Sequence, residues 1–480
     1  VRGTFISRSA CSQRQAGLGP DRTGMGARIA ESALYGHLWG TDELRDVFGE
    51  EARIRDWVWI LVQLAEAQGE LGIIPQRAAA AIARSAKPGR LDLARVARAT
   101  RETGHSTLGL IEGLQQVLPA EAAEWIYYGA TVQDLTDTWM ATAMRRVGVV
   151  VWRELRAIET LLLGLAERHR DTPMAGRTHG QPGAPVTFGL KMAGFADEVR
   201  RHLERMQQGA PRWLVGQLGG AVGALGFYGE QAVPLRRRFC ERLGLGDPGI
   251  SWLASRDRVA EFAVVLTLVC STLGRFGNEV LELQRPEIGE VAEPAMPGSV
   301  GSITMPHKRN PELSEHLVTL SRLVRANASV LLEGLVAEHE RDGRGWKAEW
   351  VAFPEVCLLT GVALDMGRRV LAGLEVDAGA MLRNIEKAHG MLASERLLAS
   401  LAPTIGKHRA QSLLQEALAD GRRRGLGLEA AVAASDDLRP HLGDLALVPP
   451  VVDVGASGTM VDEVLERARQ ARTQELATWP

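Results

Sequence analysis

The feature that most limits what this chain can fold into is a set of long proline-free segments carrying apolar residues at helical spacing. Proline is absent from Leu135 to Thr172, from Ile250 to Arg285 and from Glu312 to Phe353. Several helices can therefore run to about 30 residues, or about 45 Å at 1.5 Å per residue. Phe188, Met192, Phe195, Val199, Leu203 and Met206 follow one another at steps of 4, 3, 4, 4 and 3. That spacing puts all six on one face of a helix opening near Pro185, and such a face has to meet another helix. Long helices of this kind belong to bundles. Aromatic residues make up only 5% of the chain and β-branched runs are short, so the expected fold is all-α.

Three helical parts are expected: an N-terminal domain over 29–133, a central long-helix bundle over 134–375 and a C-terminal domain over 376–480. Residues 1–28 hold five arginines, a single acid at Asp21 and no apolar periodicity, which predicts a disordered tail. The central helices carry more apolar surface than one chain needs to cover, so identical subunits are expected to pair through them.

Charge and cysteine usage exclude whole classes of function. Lysine plus arginine number 56 and aspartate plus glutamate 58, a formal net charge of −2, so no global field favours nucleic acid or an anionic membrane. The most apolar run, Glu261 to Arg275, is shorter than the roughly 20 residues needed to span a bilayer. Four cysteines without a CxxC pair disfavour a disulfide framework or a zinc ribbon and fit a reducing cytoplasm. No GxxxxGK[ST], HExxH, GxSxG or paired Glu-x-x-His pattern occurs, and the glycine cluster from Gly216 to Gly223 follows no strand pattern. Neither a metal nor a cofactor is expected.

The most informative segment runs from Pro297 to Pro311, PGSVGSITMPHKRNP. Glycines and serines in its first half permit movement, and Pro311 followed by Glu312 suits a helix start. It reads as a hinged lid feeding a rigid helix, in which Ser302, Lys308 and Asn310 could offer a base and two donors to one small anion. The plainer alternative is a surface Ω-loop with a basic end.

Gly301 to Pro311 resembles the GSxxMPxKxNP signature of the aspartase/fumarase superfamily. Gly104-His105-Ser106-Thr107, Gly129-Ala130-Thr131-Val132-Gln133-Asp134, Arg177-Thr178-His179-Gly180-Gln181-Pro182 and Gln284 to Glu290 are similar to its other blocks, in the expected order. Leu38 to Arg45, and His339-Glu340-Arg341 leading into Trp346-Lys347-Ala348-Glu349-Trp350, look closest to the branch of adenylosuccinate lyase and 3-carboxy-cis,cis-muconate cycloisomerase, on the cycloisomerase side. The resemblance implies a three-domain helical fold and a cytoplasmic homotetramer with active sites shared between chains. It also implies a lyase that eliminates a β-substituent from a succinate-type dicarboxylate to give fumarate. The long N-terminus and the altered second block point to nitrosuccinate, split to fumarate and nitrite in a biosynthetic pathway. Carboxymuconate cycloisomerisation and adenylosuccinate cleavage stand behind it, and a catalytically silent helical scaffold is the alternative from another class.

By the same resemblance Ser302 is the general base, and Lys308 and Asn310 hold the carboxylate beside the abstracted proton. Ser106, Thr131, Gln133 and Thr178 hold the other carboxylate, and His105 is a charge-stabilising companion. His179 or Arg325 assists the leaving group. Val132 departs from the polar residue often found at its position, which suits a small leaving anion needing little hydrogen bonding. Trp346 and Trp350 are expected to pack in the core, and Arg285 and Glu287 to form structural ion pairs.

Overall fold

The computed structural model describes residues 28–295, 298, 304–305, 307–388, 390–443 and 452–480. Residues 1–27 of the tail expected over 1–28, and the base Ser302, lie outside the described residues, while Arg28 is described and pairs with Glu355. The elements that position the site are α1 (Glu50–Glu70), α2 (Leu108–Val117), α3 (Val132–Arg168), β1 (Pro173–Thr178), β2 (Gln181–Thr187), α4 (Phe188–Trp213), α5 (Asp257–Gln284), α6 (Glu312–Glu333), α7 (Gly343–Ala372), α8 (Ala378–Glu386) and α9 (Ser457–Gln474). Among the described residues the fold is all-α apart from two short two-stranded sheets.

The central bundle is α3 to α7. Helix α3 packs on α4 and α7, while α5 packs on α4, α6 and α7. All six periodic residues of α4 are at most 2% exposed. Each such side chain contributes about 1.5–3 kcal/mol relative to exposure. Helix α4 begins three residues later than the sequence suggested, because Gln181 to Thr187 pair with β1 and Thr187 caps the helix, its Oγ1 accepting from Leu190 N–H at 3.0 Å. The proline-free run from Glu312 does not form one helix. It breaks at 334–342, and α7 restarts where the Asp342 carboxylate accepts from Arg344 N–H at 2.9 Å and then continues through Pro354. Helices α5 and α7 are long and apolar enough to cross a bilayer, but 67% of the most apolar window of each is buried.

Two cores separate the C-terminal region. Leu397, Leu401, Leu414, Leu428 and Leu438 form a small cluster of their own, whereas α9 returns to the main bundle against α4. There Glu159, fully buried on α3, pairs with Arg200 at 2.5 Å and Arg472 at 2.8 Å, and Arg200 also reaches Glu475 at 2.6 Å. Trp479 follows against Trp152, with ring centroids 6.1 Å apart. It sits so close to Gly148 that a Cβ there would collide with its indole.

Candidate active site

Helix α3 starts at Thr131, whose N–H donates to the Asp134 carboxylate at 2.9 Å. The other donors to Asp134 are the N–H groups of Gly219 at 2.7 Å and Gly220 at 3.1 Å. The glycine cluster is thus a backbone loop tied to the helix start. Asp134 is 2% exposed, and burial pushes its carboxyl up to about 7 against these hydrogen bonds, with Asp137 adding to the rise.

Three residues meet at this helix start. The Arg341 guanidinium, from the loop between α6 and α7, donates to Thr131 Oγ1 at 2.7 Å and to Gln133 Oε1 at 3.2 Å. Gln133 is fully buried, and its amide nitrogen donates to Leu253 O at 2.8 Å and also bonds Asp137. Both amide hydrogens are then used, so Gln133 holds Arg341 in place rather than donating to a substrate. Thr131 keeps its hydroxyl hydrogen, and Arg341 keeps N–H donors beyond the two engaged here.

Below this layer Arg256 bridges two carboxylates, Asp137 at 2.8 and 3.0 Å and Glu349 at 2.9 and 2.5 Å, all three at most 3% exposed. Burial raises the pKa of Asp137 and Glu349 despite that partner. Burial opposes the charge on Arg256, but the two carboxylates outweigh it and raise its pKa. One guanidinium faces two acids, and Arg341 is a second cation acting on Asp137. Arg341 was not among the candidates read from sequence. It sits in an aperiodic loop, and its one signal was its place in the His339-Glu340-Arg341 block.

The remaining candidates occupy other elements. His105 is exposed, and its Nδ1 accepts from the N–H groups of Thr107 at 3.4 Å and Leu108 at 3.2 Å, capping α2; a neutral ring then carries its proton on Nε2. Ser106 is half-buried beside it. Thr178 and His179 lie exposed at the tip of the β1–β2 hairpin, where His179 at φ 53° and Gly180 at φ 76° form a primed turn. The hairpin is braced by Arg177 on Glu290 at 2.7 and 2.9 Å, and Glu290, fully buried, also accepts from Asn384 of α8 at 2.8 Å.

Lys308 is exposed, and its ammonium has no hydrogen-bond or ion-pair partner among the described residues. Asn310 donates to Glu312 Oε1 at 3.0 Å at the start of α6. Arg325, exposed on α6, donates to Ser271 Oγ on α5 at 3.3 Å. Among the described residues, the protomer joins Thr131 and Gln133 through Arg341 but links no other pair of these groups by hydrogen bond or ion pair. Arg285 pairs with Glu282 at 3.0 Å rather than with Glu287. Trp346 and Trp350 stack edge to face with centroids 4.9 Å apart. Among the described residues no cluster of three His, Cys, Asp or Glu could hold a metal ion.

Residues 39–325 match a family model described as lyase. N-acetyl-S-(2-succino)cysteine lyase of Dickeya dadantii is 36% identical over 92% of this chain and 98% of that enzyme. Nitrosuccinate lyase of Streptomyces davaonensis is 36% identical over 86% of this chain and 92% of that enzyme. The crystal structure of 3-carboxy-cis,cis-muconate lactonizing enzyme from Pseudomonas putida superposes with a TM-score of 0.83 at 33% identity, covering 91% of this chain and 99% of the other.

Proposed function

The chain belongs to the lyase family of the aspartase/fumarase superfamily, and from that premise we propose that it eliminates the substituent of a succinate-type dicarboxylate to leave fumarate, with nitrosuccinate as substrate and nitrite as leaving group. The observation that carries the reading is the Arg341 guanidinium fixed on Thr131 and Gln133. It supplies a cation and a hydroxyl donor at the helix start where the resemblance expects a substrate carboxylate, and charge-assisted bonds of this kind are the strong ones.

Removing a proton beside a carboxylate builds a second negative charge on that carboxylate, so a base and fixed donors are both needed. Ser302 takes the proton in this reading, and Lys308 and Asn310 hold the aci-carboxylate. Thr131 and Arg341, with Ser106 and Thr178, hold the distal carboxylate. Gln133 positions Arg341. The leaving group departs beside Val132, 8% exposed, which offers alkyl surface instead of a hydroxyl. Nitrite is stable as an anion, and hydrogen bonding from Arg325 suffices where a proton donor is not required. The separation of the candidates over α2, the hairpin tip and α6 supports sites completed by several copies of the chain, in a cytoplasmic homotetramer.

A second reading, favoured by similarity over 98% of the length of the succinocysteine enzyme, has a thioether substrate. A thiolate leaves less readily than nitrite and calls for proton donation, which would fall to His179. Purified protein given nitrosuccinate and N-acetyl-S-(2-succino)cysteine in parallel separates the two. Fumarate and nitrite released in equal amounts support the first, and turnover of the thioether alone overturns it.

A further inference from the structure

A cavity of about 1190 Å³ adjoins the α3 start, a volume that holds a ligand far larger than a nitro group. Its near end belongs to the site described above: Ser106 and Trp346 line it, and the Arg341 guanidinium carbon lies 6.0 Å from the Trp346 ring centroid. Trp346, expected in the core, is 7% exposed and lines this space. From there the cavity follows α3 to Trp139, about 12 Å of helix rise beyond Thr131. Arg53 and Trp57, one turn apart on α1, close its far end. The Arg53 guanidinium carbon stands 4.7 Å from the Trp139 ring centroid. Arg53 is half-buried, and among the described residues its side chain has no ion pair or hydrogen bond; Nε is fully covered without an acceptor. Burial lowers its pKa, with the Glu50 carboxylate opposing.

The other charges on the wall are already matched or lie at the solvent edge. Asp137 and Glu349 are bound to Arg256, Arg45 to Asp42 and Arg28 to Glu355, while Glu31, Glu50, Arg101 and Lys347 are exposed. A half-buried guanidinium without a partner, at the end of an aromatic passage that leads from the diacid clamp, is a receptor for an anion carried by the departing group. A carboxylate fits it, because one charge meets one guanidinium in two parallel bonds, and a second negative charge would face Glu50, Asp137 and Glu349. The indole walls suit a sulfur atom beside them.

We propose that this passage receives the departing group of succinyl thioethers and that Arg53 selects those whose departing group ends in a carboxylate, a second activity beside the cleavage of nitrosuccinate. This activity rests on the β-elimination read above and adds the chain's choice of substituent. The C3 proton goes to Ser302, its bonding pair becomes the C2=C3 double bond of fumarate, the C2–S pair leaves on sulfur, and the thiolate takes a proton from His179. Nitrosuccinate uses the same clamp without reaching Arg53.

Fumarate release by the full chain tests it, with nitrosuccinate, 2-(2-carboxyethylthio)succinate and the neutral-ended 2-(2-carbamoylethylthio)succinate as substrates. The acid-ended thioether should exceed the amide by about tenfold or more in kcat/KM, and Arg53→Gln should bring that ratio below about threefold, with Arg53→Lys restoring part of it. The wild-type ratio needs no variant, and in each variant it is read on one preparation that melts cooperatively. A merely structural role for Arg53 would lower both thioethers alike and leave the ratio unchanged, which overturns the assignment. Equal turnover of acid and amide by the wild type would overturn it too, as would nitrosuccinate split with neither thioether cleaved. Fumarate from none of the three would overturn the elimination reading itself, and this activity with it.

Discussion

The start of α3 and the start of α6 carry the two halves of the proposed diacid clamp, yet they are built in opposite ways. At α3, Thr131, Gln133 and Arg341 are held by mutual hydrogen bonds above the buried Asp137–Arg256–Glu349 group. At α6, Lys308 is exposed and the Asn310 amide donates to Glu312. The first half is pre-organised inside one protomer, and its orientation comes with the fold. The second offers its charge outward, to be directed by substrate or by another copy of the chain. Substitutions at α6 should therefore act on catalysis alone, and those beneath α3 on stability as well.

The sharpest way to break that contrast is at the signature. Ser302→Ala should lower kcat by about 10³-fold or more while the melting temperature stays put. Activity within tenfold of wild type would remove the serine from the base role. Next, Arg256→Ala leaves two buried carboxylates without their partner and should cost about 3–5 kcal/mol in urea unfolding; a loss below 1 kcal/mol would mean the layer under α3 is not the support described. Arg341→Gln should reduce kcat/KM by about 10–100-fold, the worth of one charge-assisted contact, with stability changed little. Unaltered kinetics would leave Thr131 to act without it. His179→Asn, at the exposed hairpin tip, should change nitrosuccinate turnover by less than about tenfold, because nitrite needs no proton donor; a larger loss favours the thioether reading.

The smallest effect concerns pH. The Asp134 carboxyl titrates near 7 in the folded chain, above its ordinary 3.8. Between those values the folded state binds more protons than the unfolded state, so its contribution to stability falls as pH rises from about 4 to about 7 and is flat above. The stability difference between wild type and Asp134→Asn should drift in that direction across the window. A drift of opposite sign would mean that the three backbone N–H donors outweigh burial.

How much of this was legible in the sequence differs between the same two regions. The apolar steps from Phe188 to Met206 announced α4 because helical burial is periodic, and all six residues are buried. The β1–β2 hairpin was not legible: Pro173 to Thr187 has no strand alternation, and its pairing shifts register between Ala175 and Arg177. The break at 334–342 has no proline to mark it, because proline spacing says where a helix must stop, not where it will. Arg341 lies in that break, and its meeting with Thr131 and Gln133, more than two hundred residues away in the chain, is a product of packing that no local pattern records. Lys308 and Asn310 stand as candidates from the loop's residue types and the signature they sit in, since no periodicity marks them.

A crystal soaked with fumarate tests the account most directly. One carboxylate should lie within hydrogen-bond distance of Thr131 Oγ1 and the Arg341 guanidinium of one protomer, and the other against Lys308 and Asn310 of a second. A diacid bound elsewhere, with Arg341 unmoved on Gln133 and no carboxylate near it, would contradict the claim that the α3 start is the fixed half of the site.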